Sequence, residues 1–276
     1  MTDIIEVFEN STIQHGKEND RIYLMKLNPN KTEEIIDYIE KLSLEKKYSK
    51  IFAKIPVNYI SLFNEKGYKT EAFVPKFFNG ETDGVFLAKY PLPQSKREFL
   101  SKKELIDDII RITKSKTEKV DSKLSFKFQI LDKNDSETIA RLYKKVFITY
   151  PFPIFDPKYI LKTMEENVCY FGIKEQGELI SISSAEMDKE NKNVEMTDFA
   201  TLPEFRRKGL ALFLLRQMEN YVAKHGFKTS YTIARAISHG ANIIFGKNNY
   251  NFGGTLVNNT NIAGNIESMN VWYKSL

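Results

Sequence analysis

Cysteine and histidine are almost absent from the 276-residue chain, which has one cysteine, Cys169, and three histidines, His15, His225 and His239. A single cysteine excludes an intramolecular disulfide. The aromatic and apolar neighbours at 170–173 predict a buried strand, in which a thiol behaves as a small apolar group. Three scattered histidines and one cysteine do not make a convincing zinc site. We therefore expect neither thiol nor metal chemistry.

Long apolar runs are also lacking, since no stretch approaches the ~20 residues needed to span a bilayer. The first six residues have no basic region followed by an apolar run, so we expect no signal peptide, no membrane partner and a cytoplasmic protein. The 41 basic and 36 acidic residues give a net charge of +5 and are interleaved along the chain. This balance indicates solvated faces, and we expect no nucleic-acid partner.

Hydrophobic residues make up 42% of the chain and aromatic residues 13%, so a sizeable core can form. The length favours two domains. Up to Tyr90 the pattern predicts strand, strand, helix, strand, helix, strand, strand, and Pro91-Leu92-Pro93 then breaks it. We predict an N-terminal α/β domain over 1–93, a linker helix from Ser95 to Lys114 and a loop within 94–122, and a second α/β domain over 123–276 with a central mixed sheet.

The two domains share a pattern near their ends. Phe63 is followed by Gly67-Tyr68 as Phe245 is followed by Asn249-Tyr250, each time between a strand and a further strand pair. This similarity suggests an internal duplication in which the N-terminal copy is partial. Chance similarity between two α/β units is the alternative.

The most informative stretch joins a strand predicted over Val194–Leu202 to a helix predicted over Arg206–Lys224. Three cations, Arg206, Arg207 and Lys208, stand where the helix dipole favours acidic residues, and the small residues Gly209 and Ala211 follow them. A helix start with free backbone N–H groups and little side-chain bulk can bind an anion. The alternative is an ordinary helix with a basic N-terminus.

The segment Pro203–Ala211 resembles the signature of the GCN5-related N-acetyltransferases (GNAT), [Arg/Gln]-x-x-Gly-x-[Gly/Ala], preceded by Pro-Glu and an aromatic residue. The resemblance implies the GNAT fold, a mixed and mostly antiparallel sheet flanked by helices, and acetyl-CoA as the acetyl donor. It also implies that the loop binds the pyrophosphate and the preceding strand binds the pantetheine arm. The cofactor residues would be Phe199, Ala200, Thr201, Arg206, Arg207, Lys208, Gly209, Leu210 and Ala211.

A second block of the GNAT pattern fits with departures. Ser238 replaces the usual asparagine, Lys247 matches, and Phe245 stands where a tyrosine often protonates the departing thiolate. The resemblance adds Ser238 and Lys247 to the cofactor site. Since phenylalanine cannot donate a proton, the general acid would be another group, a water, or none.

More narrowly, the chain resembles the β-lysine N-acetyltransferases over nearly its whole length, most specifically at 149–157, 234–242, 253–262 and 266–274. This resemblance implies acetylation of the side-chain amine of β-lysine to give Nε-acetyl-β-lysine, a compatible solute. It leaves open a homodimer.

An alkylammonium titrates near ~10.4 and must lose a proton before it attacks a thioester. We predict Glu195 as the base, with an exposed edge carboxylate as the alternative reading. Asp198 is the second candidate: strand parity turns it to the other face, although a bulge could turn it back. For the substrate we predict four binding residues, each of which has a structural role as its alternative: Tyr150, Phe152, Arg235 and Asn242.

Three other functions stay open at this point. The chain could acetylate another small amine, such as lysine, a polyamine or an aminoglycoside. The missing tyrosine is compatible with a non-catalytic acetyl-CoA sensor, and the sequence pI of 8.9 with a nucleic-acid-binding protein.

Overall fold

The computed structural model describes residues 3–92, 96–116, 126–262 and 264–276. The helices are α1 (Thr32–Lys46), α2 (Ile60–Glu65), α3 (Lys103–Lys114), α4 (Ser136–Val146), α5 (Pro157–Glu166), α6 (Leu210–Lys224) and α7 (His239–Lys247). The strands are β1 (Ile4–Phe8), β2 (Ser11–Gly16), β3 (Arg21–Lys26), β4 (Lys50–Pro56), β5 (Lys69–Phe78), β6 (Thr82–Lys89), β7 (Phe128–Leu131), β8 (Val168–Glu175), β9 (Glu178–Asp188), β10 (Asn193–Thr201), β11 (Thr229–Arg235), β12 (Asn251–Ile262) and β13 (Asn265–Ser275).

All these strands belong to one sheet, in the order β1-β2-β3-β4-β6-β5-β12-β13-β11-β10-β9-β8-β7. Neighbouring strands are antiparallel except for two parallel pairs, β3 with β4 and β10 with β11. The expected mixed, mostly antiparallel sheet flanked by helices is thus confirmed. We call residues 3–92 the N-terminal half and residues 126–276 the C-terminal half.

The two halves repeat one strand arrangement. The N-terminal order β1-β2-β3-β4-β6-β5 matches the C-terminal order β8-β9-β10-β11-β13-β12, with the parallel pair at the same place in each. The shared sequence pattern forms the same turn: the Tyr68 N–H donates to Phe63 O at 3.1 Å and the Tyr250 N–H to Phe245 O at 3.0 Å. The suspected internal repeat therefore has a topological basis.

Three hydrophobic clusters hold the sheet and helices together. One lies within each half, and the third is shared between them. The shared core combines N-terminal and C-terminal residues across the β5–β12 contact, among them Tyr23, Phe52, Phe77, Phe86, Tyr231, Leu256, Met269 and Val271. The site described below lies beside this shared core.

Several sequence-based bounds need correction. Three strands, not two, precede the first helix, because β1 and β2 form a hairpin of weak apolar pattern. The linker helix begins at Lys103 rather than Ser95, after a short 3₁₀ turn and a left-handed Lys102. Helix α6 begins at Leu210 rather than Arg206.

The two predicted domain boundaries, 93/94 and 122/123, lie outside the described residues, as does the part of the predicted loop from residue 117 to residue 122. The division into domains at those positions stays a prediction. In the described ranges no helix is long and apolar enough to cross a membrane.

Candidate active site

The loop between β10 and α6 differs from the simple helix start that the sequence suggested. Pro203–Phe205 forms a 3₁₀ turn, Arg207 has a left-handed backbone with φ of 64°, and Gly209 caps α6 with φ of 78°. The four residues 206–209 are exposed. The cations predicted at the wrong end of a helix therefore lie just before it, in a loop that wraps its N-terminus.

This loop has the properties of an anion site. The first turn of α6 leaves its N–H groups without helical acceptors, and the helix dipole adds positive potential there. The Arg206 guanidinium donates to Thr201 O at 3.2 Å, and Lys208 lies 4.7 Å from the centre of the Phe205 ring. Leu210 is buried and Ala211 partly so, which anchors the loop to the core.

Strands β10 and β11 separate beyond their first residues. In the described residues Asn193–Glu195 of β10 pairs with Thr229–Tyr231 of β11. Beyond this pairing β10 continues to Thr201 and β11 to Arg235. Beyond Glu195 the described strands no longer pair, which leaves the β11-facing edge of residues 199–201 open. An extended ligand arm can bind such an edge by main-chain hydrogen bonds.

Strand parity predicts that Asp198 and Glu195 lie on opposite faces of the sheet, but a β-bulge between Thr197 and Ala200 changes the orientation of Asp198. The bulge shifts the register against β9, and Asp198 adopts φ of 54°. Its carboxylate accepts hydrogen bonds from Ser184 Oγ at 2.5 Å and from the Tyr150 hydroxyl. Ser184 and Glu186 are two residues apart on β9, so their side chains lie on the same face of the sheet. Glu186 is the cross-strand neighbour of Glu195. Asp198, which is bonded to Ser184, therefore lies on the face that carries Glu195.

Glu195 lies on an interior strand, between β9 and β11, and is partly buried. The reading as an exposed edge carboxylate is therefore wrong. Its antiparallel neighbour is Glu186 and its parallel neighbour is Tyr231, whose hydroxyl also lies 3.0 Å from Lys54 Nζ. The carboxylate of the predicted base thus contacts a hydroxyl that is itself in contact with a lysine from the N-terminal half.

Burial raises the pKa of Glu195 to about 8, and the neighbouring Glu186 carboxylate adds to the rise. Lys54 and the Tyr231 hydroxyl act in the opposite direction. A carboxylate with a raised pKa is a stronger base toward an ammonium group. The environment of Glu195 therefore suits proton abstraction from an amine near neutral pH.

Three residues at this site were not predicted from the sequence: Lys54, Glu186 and Tyr231. Lys54 comes from β4, Tyr231 comes from β11 and belongs to the shared core, and Glu186 comes from β9. One signal was available, since Lys54 is a lone cation within the apolar strand Ile51–Ile55. Their proximity to Glu195 could not be read from the sequence, because it depends on how the halves join.

Of the predicted substrate residues, the structure brings Tyr150 to Asp198 and places Phe152 against the C-terminal core. It does not bring Arg235 and Asn242 to them. The Arg235 guanidinium forms a two-point ion pair with Glu267, at 2.9 and 2.7 Å. Asn242 is fully buried, donates to two main-chain carbonyls at 2.7 and 3.0 Å and accepts from Asn270 and Trp272. These bonds give Asn242 a structural role.

Helix α7 carries the remaining predicted residues. Ser238 caps it, because its hydroxyl accepts from the Ala241 N–H at 3.3 Å. Lys247 lies in the last turn. The Phe245 ring is buried and meets Phe199 edge-on, with 5.7 Å between ring centres. Phe245 therefore packs against the strand whose edge is open.

Residues 137–243 match the acetyltransferase (GNAT) family model. A β-lysine N(6)-acetyltransferase from Methanococcus maripaludis is 44% identical over 276 residues, covering 99% of both chains. A protein of the same description from Methanosarcina mazei is 32% identical, covering 88% of this chain and 97% of its own. The N-acetyltransferase YodP from Bacillus subtilis is 36% identical and covers 76% of each chain.

Proposed function

Because this chain belongs to the GNAT acetyltransferase family, we propose that it transfers the acetyl group of acetyl-CoA to the N6 amine of β-lysine. Membership of the family makes the chain an N-acetyltransferase that uses acetyl-CoA. The observation that supports β-lysine as the acceptor is the similarity to the Methanococcus maripaludis protein, which extends over both halves.

The loop and strand geometry supports a cofactor position. The backbone N–H groups of Arg206–Ala211 would hold the pyrophosphate of acetyl-CoA, because the helix dipole and three cations favour an anion there. The open edge of residues 199–201 would hold the pantetheine arm, which would bring the thioester toward the point where β10 and β11 separate. Glu195 lies at that point.

In the proposed reaction Glu195 takes a proton from the N6 ammonium of the substrate. The neutral amine then attacks the thioester carbonyl, the nitrogen releases its second proton, the carbon–sulfur bond breaks to leave the neutral amide, and the thiolate of coenzyme A takes up a proton. Phe245 cannot supply that proton, and the Tyr250 hydroxyl is buried against Ser230. The proton released by the attacking nitrogen, or a proton from solvent, is then the source for the thiolate.

Acetylation removes the charge of the N6 ammonium. β-Lysine, with two ammonium groups and one carboxylate, carries +1, whereas its N6-acetyl product is a zwitterion of zero net charge. A neutral product suits the role of a compatible solute. We propose that the enzyme makes this product in the cytoplasm.

A product screen tests the choice of acceptor. The protein is incubated with acetyl-CoA and, separately, β-lysine, lysine, a polyamine and an aminoglycoside, and products are identified by mass spectrometry. We expect acetyl-β-lysine to form with a kcat/KM at least tenfold above the other amines. A higher value for another amine would move the assignment to that amine, and no product with any of them would favour an acetyl-CoA sensor.

A further inference from the structure

The proposed mechanism uses one carboxylate, but a second one stands directly beside it. Glu186 and Glu195 are opposite residues on β9 and β10, and cross-strand partners on one face have Cβ atoms about 5 Å apart. Burial raises the pKa of Glu186, and the charge of Asp198 adds to the rise. No side-chain hydrogen bond to Glu186 accompanies these effects among the described residues. Glu186 is thus a partly buried acceptor with capacity for a donor.

Lys54 is the cation that acts on both glutamates. It extends from β4 of the N-terminal half, across the shared core, to the Tyr231 hydroxyl at 3.0 Å. Its ammonium lies over the Tyr231 ring at 5.4 Å and the Phe77 ring at 5.8 Å from their centres. An ammonium has three donor hydrogens, so the bond to Tyr231 leaves capacity for an anionic ligand.

The charges of this cluster are opposite in sign to those of a diamino acid and complement them. Glu195 and Glu186 present two acceptors for ammonium groups, and Lys54 presents a donor for a carboxylate. In β-lysine four carbon atoms separate the two nitrogens, and the carboxylate lies next to the non-reacting nitrogen. When one ammonium reaches Glu195, the other can therefore reach the adjacent Glu186.

We propose that Lys54 binds the substrate carboxylate and Glu186 binds the non-reacting ammonium, so that the N-terminal half completes the acceptor pocket. This inference rests on the proposed function and specifies its substrate class as diamines that bear a carboxylate. It also accounts for the choice of N6, because the N3 end is held by two charged groups while N6 alone faces Glu195.

The test pairs each variant with a substrate that lacks the matching group. 1,4-Diaminopentane keeps both amines of β-lysine but has a methyl group in place of the carboxymethyl group. 6-Aminohexanoate keeps the N6 amine and the carboxylate but lacks the N3 ammonium. All kcat/KM values are taken on the high-pH plateau, so that a change in the pKa of Glu195 does not enter.

For Lys54→Met we expect kcat/KM to fall at least tenfold with β-lysine and less than twofold with 1,4-diaminopentane, because only β-lysine has the carboxylate whose charged hydrogen bond would be lost. For Glu186→Gln we expect a fall of similar size with β-lysine and little change with 6-aminohexanoate. Such non-additivity between a side chain and a substrate group identifies a direct contact.

Lys26→Met is the matched control, because Lys26 lies on the neighbouring strand β3 and pairs with the exposed Glu190 across the halves. We expect no change in kcat/KM with any of the three substrates. An equal loss with all substrates in folded Lys54→Met would overturn the inference, since Lys54 would then act on Glu195 through Tyr231. Failure of the wild type to acetylate β-lysine would instead reject the proposed function.

Discussion

Glu195 combines the features of a base that works on an alkylammonium. Its partly buried position and the adjacent Glu186 carboxylate raise its pKa to about 8. A proton transfer from an ammonium of pKa ~10.4 is less unfavourable to this carboxylate than to an ordinary glutamate of pKa ~4.3. Below pH 8 the free enzyme carries a protonated Glu195, and above it the basic form dominates.

We therefore predict that kcat/KM for the amine rises with pH through a limb near 8 in the wild type. Glu195→Gln should abolish that limb and lower kcat at pH 7 by ~10²–10⁴-fold, the usual contribution of a positioned base. Higher pH should recover part of the loss, because more of the substrate is then neutral. The acetyl-CoA KM should change little.

Steady-state rates between pH 6 and 10 measure both effects, with Glu190→Gln as a control at an exposed carboxylate. Full activity of Glu195→Gln at pH 7 would transfer the role to Asp198 or to a water chain. The carboxylate of Asp198 already accepts hydrogen bonds from Tyr150 and Ser184. This arrangement favours a positioning role for Asp198.

In the loop between β10 and α6, two structural features require glycine at position 209. Its φ of 78° disfavours any residue with a Cβ, by about 1–2 kcal/mol, and its exposed position faces the proposed pyrophosphate site. Gly209→Val should therefore raise the KM for acetyl-CoA steeply and also lower the melting temperature.

Gly226 provides a control with the same backbone strain. It follows the other end of α6 with φ of 83°, and the space that a Cβ would occupy there is open. Gly226→Val should lower the melting temperature to a similar extent and leave the acetyl-CoA KM unchanged. Equal kinetics of folded Gly209→Val and Gly226→Val would place the pyrophosphate elsewhere.

The contact between helix α7 and strand β10 leads to a prediction about the missing tyrosine. The Phe245 ring is buried between Phe199 and Tyr250, so Phe245→Tyr would bury a hydroxyl in an aromatic environment. An unsatisfied buried hydroxyl costs ~1–3 kcal/mol, and we expect a lower melting temperature with little change in the alkaline limb of the rate profile. A stable variant with a raised kcat would show instead that the hydroxyl reaches the departing thiolate.

Elements with strong local signals could be predicted from the sequence. The strand predicted over Val194–Leu202 is present as β10, within one residue at each end, and the helix predicted after it ends at Lys224 as expected. The bulge at Asp198 could not be derived, because it depends on pairing with β9 rather than on local sequence. The first residue of α6 was misplaced since Arg206–Lys208 are compatible with a helix and only the loop geometry excludes it.

Across the whole molecule, the two halves share the order of their strands but not the residues that form the site. Within the parallel strand pairs, Tyr23 opposite Phe52 takes the place of Glu195 opposite Tyr231. The N-terminal half passes from β3 through Pro29–Lys31 directly into α1, without the basic, glycine-containing loop of the C-terminal half. We infer that the N-terminal half contributes side chains to one site instead of forming a second.

Buried charges stabilise the junction of the halves. Lys50 is fully buried, pairs with Glu71 at 2.8 Å and donates to Val257 O of the C-terminal half at 2.7 Å. Removing one partner of a buried ion pair costs ~3–5 kcal/mol, so Lys50→Met should lower the melting temperature strongly.

The exposed pair of Lys26 with Glu190 also joins the halves, and Lys26→Met should change stability by only ~0–1 kcal/mol. Differential scanning calorimetry compares the two variants. Equal melting temperatures would contradict the role of the buried pair in the junction.

The junction also explains why the acceptor pocket could not be predicted from the sequence. Lys54 and Glu195 are far apart along the chain and meet because β5 and β12 join two sheets into one. Nothing in the local pattern around Lys54 indicates which strand lies opposite. The motif of the cofactor loop could be recognised in the sequence because its residues are contiguous. The residues of the proposed acceptor pocket come from both halves and are far apart in the sequence.

Heteronuclear NMR of the product determines which nitrogen of β-lysine receives the acetyl group. The enzyme is supplied with β-lysine and acetyl-CoA carrying a ¹³C-labelled carbonyl, and the amide is located by its long-range coupling to substrate protons. We predict coupling to the C6 protons alone. Coupling to the C3 proton would show acetylation at N3, and the absence of a labelled amide would show that β-lysine is not the acceptor.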